Sequence, residues 1–355
     1  MNSKIIIIAL LFFGCIRASA QYNFKKVDTW LDDNASKMGG RVILVVYKNG
    51  SLVYSHAVND MNMRQKMAGK YFAKRQGKTA DLNDYTITSR QAIASCSKWL
   101  SAALVMTFID EGKLKLTDTV GKYLPVLSQN GKGSITISDC LSHLTAIKSP
   151  PLKENMEEMR NVNTMDEAIQ DIAKMPMEGK PGKVFHYNNT GLEIAGAIIE
   201  KISGKSFETL FAERIARPLN MKNTDFGKGK VALPADGAYS TPEDYLNFLT
   251  MILNKGVFNG KRILSESNIT QMQINRITAD VKIAYTPAEA GDFGYAYGEW
   301  VMGGGTVTSP GLFGSFPWVN NEQKYAAFMM TFYLNSNGRN KRYQELKMLV
   351  DNAVQ

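Results

Sequence analysis

From Ile93 to Gly112 the chain reads Ile-Ala-Ser-Cys-Ser-Lys-Trp-Leu-Ser-Ala-Ala-Leu-Val-Met-Thr-Phe-Ile-Asp-Glu-Gly, apolar or small at nearly every position up to Ile109. A helix that is apolar on every face has to be covered on every face, so the fold must wrap this one segment. Gly112 is a natural stop, and Asp110 and Glu111 mark the return to water. Lys98 stands near the start of the run, three residues after Ser95, a spacing that sets the two on one helix face. A buried ammonium without a partner is costly, so this lysine needs a reason. One reason is chemical. A desolvated lysine holds its proton less tightly and can take one from a neighbouring hydroxyl, here set at the positive end of a helix where an oxyanion is favoured. The other is that a first-turn lysine reaches out to water beside an ordinary serine. Ser95–Lys98 is the one Ser-x-x-Lys match in the chain, and the motif alone does not separate the two readings.

Residues 1–20 read as an export leader. Lys4 supplies the positive start, Ile5 to Phe13 a short apolar core, and Ala18-Ser19-Ala20 a small-residue cleavage site. That core is too short to span a bilayer, and no later segment is long and apolar enough to be transmembrane. Phe13-Gly14-Cys15 loosely imitates a lipidation site, but the Ala-x-Ala signal favours cleavage after Ala20, so a lipid anchor at Cys15 is the lesser alternative. The expected mature chain, residues 21–355, is then periplasmic or secreted, and long enough for one large domain. It keeps Cys96 and Cys140, too few for a disulfide scaffold, and Cys96 reads as a small core residue. The net charge of +9 for the full chain suits an anionic partner or serves solubility alone.

Strand signals gather at the two ends of the chain. An amphipathic helix (Phe24, Val27, Trp30, Leu31, Ala35) stops at Gly39-Gly40, and two β-rich runs, Arg41 to Tyr47 and Leu52 to Val58, flank the hairpin signal Asn49-Gly50. The basic stretch Asn59 to Asp84 reads as a long surface loop. Strands are expected again at Gly294–Met302, Leu312–Asn320 and Lys324–Tyr333, then a terminal helix from Lys341 to Ala353. Between these ends the patterns are helical. They include a methionine-rich region at 154–177, helices at Leu192–Ile202 and Phe207–Arg214, and a helix start at Thr241-Pro242-Glu243-Asp244. The expected class is α/β (α+β): an antiparallel sheet built from both chain ends (about 21–112 and 235–355), flanked by helices, with a helical region inserted at about 113–234.

Tyr187-x-Asn189 is the second chemical candidate, since Pro181-Gly182 before it and Thr190-Gly191 after it hold it on a tight loop. A tyrosine near lysine can share a proton shuttle, and an asparagine can donate to a substrate carbonyl. His56, His143 and His186 lack metal spacing, no Gly-x-Ser-x-Gly elbow occurs, and Gly303-Gly304-Gly305 precedes no helix, so zinc, an α/β-hydrolase triad and a phosphate cradle are unsupported. His186 reads as structural.

Taken together, several motifs resemble the serine beta-lactamase-related family, and within it the class C, penicillin-binding-protein-like branch with its esterases. They are Ala94-Ser95-Cys96-Ser97-Lys98, Glu111-Gly112-Lys113-Leu114 through Lys122-Tyr123-Leu124-Pro125, Tyr187-Asn188-Asn189-Thr190-Gly191 and Tyr239-Ser240-Thr241-Pro242-Glu243-Asp244. The resemblance implies a beta-lactamase/transpeptidase-like fold and a cleft between sheet and helical region. It implies Ser95 as acylated nucleophile, Lys98 as its base, Tyr187 as proton relay and Asn189 on the substrate's carbonyl side. The family's Lys/His-x-Gly strand motif falls on Ser309-Pro310-Gly311 here, so the usual grip on a substrate carboxylate is missing. Gly311 would allow close approach of substrate, and the Leu312 amide would join that of Ser95 as oxyanion hole. The expected substrate is a neutral ester or small amide, with beta-lactams and peptidoglycan left open; no cofactor, metal or nucleic acid is expected.

Overall fold

The computed structural model describes residues 22–75, 77, 79–151, 154, 161–227 and 229–355, so the expected leader and Cys15 lie outside the described residues. Seven antiparallel strands form the main sheet. They are β1 (Arg41–Lys48), β2 (Ser51–Asn59), β3 (Gly294–Tyr295), β4 (Trp300–Gly303), β5 (Thr306–Thr308), β6 (Phe316–Asn320) and β7 (Tyr325–Thr331). Their order is β2-β1-β7-β6-β5-β4-β3, so the first and last β-rich segments meet where β1 pairs with β7, from Val42–Thr331 to Lys48–Tyr325. Asn49 and Gly50 join β1 to β2 with φ of 52° and 86°, the positive pair that a tight hairpin turn requires.

Alternation along the strands decides what lies on each face. Val42, Leu44 and Val46 point toward α1 (Lys25–Ala35) and the terminal helix, while Ile43 and Val45 join the opposite core. On that second side lies α3 (Ser97–Asp110), buried at every residue from Ser97 to Phe108. Around it pack α5 (Thr190–Ser203) and α6 (Pro242–Leu253), the latter started by Thr241, whose side chain accepts from Asp244 N. Each fully covered Leu, Phe or Met in these layers contributes about 1.5–3 kcal/mol of transfer free energy. The arrangement is a mixed α/β fold with a large antiparallel sheet covered by helices on both faces.

The structure differs from the expectations in several places. The stretch 59–84 is not all loop: α2 runs from Met63 to Arg75. Its start is a reciprocal cap in which Gln65 N donates to Asn62 Oδ1 and Asn62 N to Gln65 Oε1. Lys, Arg, Gln, Met and Ala are strong helix formers, and their propensity outweighs the charge density that suggested a loop. Gly294–Met302 splits into β3 and β4, because Ala296 N bonds to Glu299 O across a turn. Gly311 lies on no strand, since β5 ends at Thr308. In the methionine-rich region α4 spans Met165–Lys174, with Thr164 accepting from Glu167 N, while Met156 and Met159 lie outside the described residues. The terminal helix, α7, begins two residues earlier than expected and spans Arg339–Ala353.

Candidate active site

Ser95 does not open α3 itself; it sits in a single 3-10 turn, Ala94–Cys96, that leads into it. Ala94 has φ of +46°, a strained value for a residue with a Cβ, and such strain gathers at functional turns. Neighbouring bonds hold the turn in place. Ser97 Oγ donates to Ala94 O at 2.6 Å and accepts from Ala238 N at 2.9 Å, and Tyr245 Oη donates to Cys96 O at 2.8 Å. Ser95 is 5% exposed and lines a pocket of about 390 Å³ together with Tyr187, Tyr285, Glu289, Trp300, Gly311 and Leu312. A more open groove of about 720 Å³ against α7 contains none of the candidate residues.

Lys98 is wholly buried, so it does not reach out to water. Its Nζ donates to Ser95 Oγ at 3.3 Å, Asn189 Oδ1 at 2.9 Å and Ala235 O at 3.0 Å, and lies 5.0 Å from the centre of the Tyr187 ring. Burial pulls its pKa down to about 8, against the opposing charges of Asp236 and Glu193. Tyr187, on the turn after the short strand Val184–His186, is packed against Trp300 at 5.1 Å and His143 at 4.7 Å between ring centres. Burial pushes its pKa up, while the neighbouring Ser95 hydroxyl acts the other way. The Cys96 thiol is also pushed up by burial and stays a core group. Ser95, Lys98 and Tyr187 thus converge.

The other expected residues have different surroundings. Asn189 is 1% exposed; its amide oxygen faces Lys98 and its Nδ2 donates to Asp236 Oδ2 at 3.1 Å, so it is bound on both sides by protein. Ser309 Oγ donates to Gly298 O at 3.0 Å and Ser95 O at 3.3 Å, tying the nucleophile's turn to the loop before β4. Gly311 lines the pocket and also allows a close approach to Ile93: a Cβ there would stand 2.2 Å from Ile93 O. Leu312 stays on the pocket wall, its carbonyl held by Arg339 Nη1 at 3.0 Å. His186 pairs with Glu178 at 2.6 Å. Among the described residues no His/Cys/Asp/Glu group is arranged to hold a metal ion.

Three residues here were not singled out from the sequence: Glu193, Asp236 and Glu289. The signal for Glu193 was present, because it is an acid inside the apolar run Leu192–Ile202 and poses the same question as Lys98. Asp236 lies in an Ala-Asp-Gly turn whose spatial neighbours cannot be read locally. Glu289 belongs to a wall assembled from distant segments.

A family model described as Beta-lactamase matches residues 35–355. Protein Rv1367c of Mycobacterium tuberculosis is 24% identical over 242 residues, 54% of this chain and 60% of that protein, so this chain spans about three fifths of that relative's length. Among solved structures, a Bacteroides dorei protein provisionally described as a beta-lactamase superposes with a TM-score of 0.77 at 24% identity, covering 94% of this chain and 99% of that one. The hydrolase EstCE1, described as having promiscuous acyltransferase activity, superposes with a TM-score of 0.71 at 17% identity, covering 92% and 97%. At these identities the structural likenesses establish the fold.

Proposed function

This chain belongs to the Beta-lactamase family, and we propose that it is an exported serine hydrolase that forms an acyl-enzyme on Ser95. The observation that carries the proposal is the buried Lys98 ammonium hydrogen-bonded to the Ser95 hydroxyl, with a proton affinity lowered to about 8. In its neutral form Lys98 takes the proton from Ser95 Oγ as that oxygen attacks the substrate carbonyl. The Ser95–Tyr187 contact supports Tyr187, protonated through neutral pH, as the donor to the leaving group. Water then attacks the acyl carbonyl and gives a proton to the pair; as the bond to Ser95 Oγ breaks and the acid leaves, the pair returns a proton to that oxygen. The backbone amides of Ser95 and Leu312 are proposed as the oxyanion donors.

The pocket wall supports a neutral ester or small amide as substrate. Its one charged lining residue, Glu289, already faces Arg339 Nη1 at 3.0 Å, and no lysine or arginine lines the pocket among the described residues. A substrate carboxylate would meet no free cation there. EstCE1, as a hydrolase with acyltransferase activity on the same fold, is in keeping with acyl transfer.

The test is a fluorophosphonate label and a panel of chromogenic acyl esters, run on wild type and Ser95→Ala. Wild type should label stoichiometrically and turn over neutral esters; Ser95→Ala should do neither. Label retained in Ser95→Ala would remove the assignment. Acylation by a fluorescent penicillin without ester turnover would instead favour a lactamase or D,D-peptidase. No reaction across all panels by folded protein would favour a ligand-binding relative. A mature amino terminus at Gln21 in material recovered outside the cytoplasm would support export.

A further inference from the structure

Behind Lys98 lie two acidic side chains that the proposed reaction does not use. Asp236 Oδ2 accepts from Asn189 Nδ2 at 3.1 Å, and Glu193 Oε1 accepts from Ala235 N at 3.1 Å. Asn189 Oδ1, the other end of the same planar amide, and Ala235 O, on the peptide that follows, are the acceptors that hold Lys98 Nζ at 2.9 and 3.0 Å. Asp236 therefore grips one of the lysine's acceptors through a single rigid amide, while Glu193 binds the backbone one peptide before the other acceptor.

The chemistry of the partners determines how the amide of Asn189 is turned. An ionised carboxylate only accepts and an ammonium only donates, so the one orientation that satisfies both sends the NH2 group to Asp236 and the oxygen to Lys98. Asn189 is 1% exposed, with its oxygen on Lys98 and one of its two amide N–H groups on Asp236, so the plane of the amide is fixed from both sides by protein. The contact to Lys98 is thus a second service of Asn189, beside the substrate-side role that the resemblance implied for it.

We propose that Asp236 is a positioning residue that locks the Asn189 amide so that its oxygen serves as an acceptor for Lys98, with Glu193 holding the backbone at Ala235 beside it. The inference rests on the serine hydrolase reading of the site, but the amide lock is a property of the folded protein whether or not it turns over. The groups facing Lys98 are Ser95 and Cys96 from its own turn, Tyr187 and His143 from the adjoining loops, and Asn189, Glu193 and Asp236. Of these, Asp236 is the larger and Glu193 the smaller opposing influence that raises the lysine's proton affinity, and burial pushes the Glu193 carboxyl up.

Two measurements test the proposal. The first is the side-chain amide pair of Asn189 in an ¹⁵N-labelled sample, assigned by its loss in Asn189→Asp. In wild type its protons should be distinct and slow to exchange; in Asp236→Ala they should exchange at least tenfold faster. The second is the rate of fluorophosphonate acylation against pH. Asp236→Ala should slow acylation on the order of 10- to 100-fold, as expected when a base is misplaced. Its acid limb should move to lower pH, because the charge that favoured the lysine's proton is gone. Asp236→Asn, which keeps an acceptor but no charge, should recover much of the rate while its acid limb stays displaced. A merely structural role would lower thermal stability without moving either the amide exchange or the pH limb. Unchanged Asn189 amide protons in folded Asp236→Ala would overturn the proposal even if the wild type reacts with no probe. Loss of labelling confined to Ser95→Ala, with Asp236→Ala unchanged in rate and pH limb, would overturn it and leave the hydrolase reading intact.

Discussion

At the scale of single residues, the site depends on one titration. Lys98 is the buried base, with its pKa lowered to about 8, while burial pushes Tyr187 and Cys96 up and the His143 imidazole toward its neutral form. The active form needs Lys98 neutral, so kcat/KM should rise with pH through about 8 and fall about tenfold per unit on the acid side. A profile limited instead near pH 4–5 would point to a carboxylate as base. Lys98→Ala should reduce acylation by roughly 10²–10⁴-fold, the usual contribution of a positioned base, measured as the single-turnover rate of labelling. The Ser95–Lys98 pair was legible because a charge in an apolar run is conspicuous wherever the run folds. What that lysine touches was not legible: Asn189, Ala235 and Asp236 come from segments about 90 to 140 residues away, and only tertiary packing brings them to it.

At the scale of elements, local chemistry carried the reading as far as it is local. Asn49-Gly50 and Thr241-Pro242 specify a turn and a helix start through their own backbone preferences, and both stand where expected. The helix α2 was missed because its apolar residues do not mark a buried face: Met63, Met67 and Tyr71 are 72%, 64% and 58% exposed. Amphipathicity signals burial, and an exposed helix held by propensity and a cap gives no such pattern. The nucleophile's turn makes a sharper demand. Ile93 O lies where a Cβ on residue 311 would be, and Cys96 Sγ would be 3.2 Å from it. Gly311→Ala should therefore push the loop off the turn, at a stability cost of about 1–3 kcal/mol. Because Ser95 is part of that turn, acylation should fall as well. Chemical denaturation and labelling rates measured together check this. Normal acylation in a destabilised variant would mean that the turn keeps its shape when the loop moves away.

At the scale of the whole molecule, the last helix reaches from the back of the sheet to the pocket. Along α7, Leu346 and Val350 cover the sheet face opposite α3, whereas Arg339 at its start is 1% exposed and points to the pocket wall. Its Nη1 donates to Glu289 Oε1 and Leu312 O, each at 3.0 Å, and its Nη2 to Tyr333 O at 3.0 Å. One guanidinium thus braces three wall segments, and its fork geometry is what lets it do so. Two substitutions in the same helix should separate support of the fold from support of the site. Leu346→Ala removes packing far from Ser95 and should lower stability by about 2–5 kcal/mol without altering the acylation rate of the folded fraction. Arg339→Ala leaves Glu289 without its cation, a loss of about 3–5 kcal/mol where such pairs are buried, and also frees the Leu312 carbonyl. Acylation should then slow in molecules that remain folded. Arg339→Lys restores a charge toward Glu289 but not the fork, so stability should return further than rate. Equal effects of Leu346→Ala and Arg339→Ala on the rate per folded molecule would show that α7 serves the sheet alone.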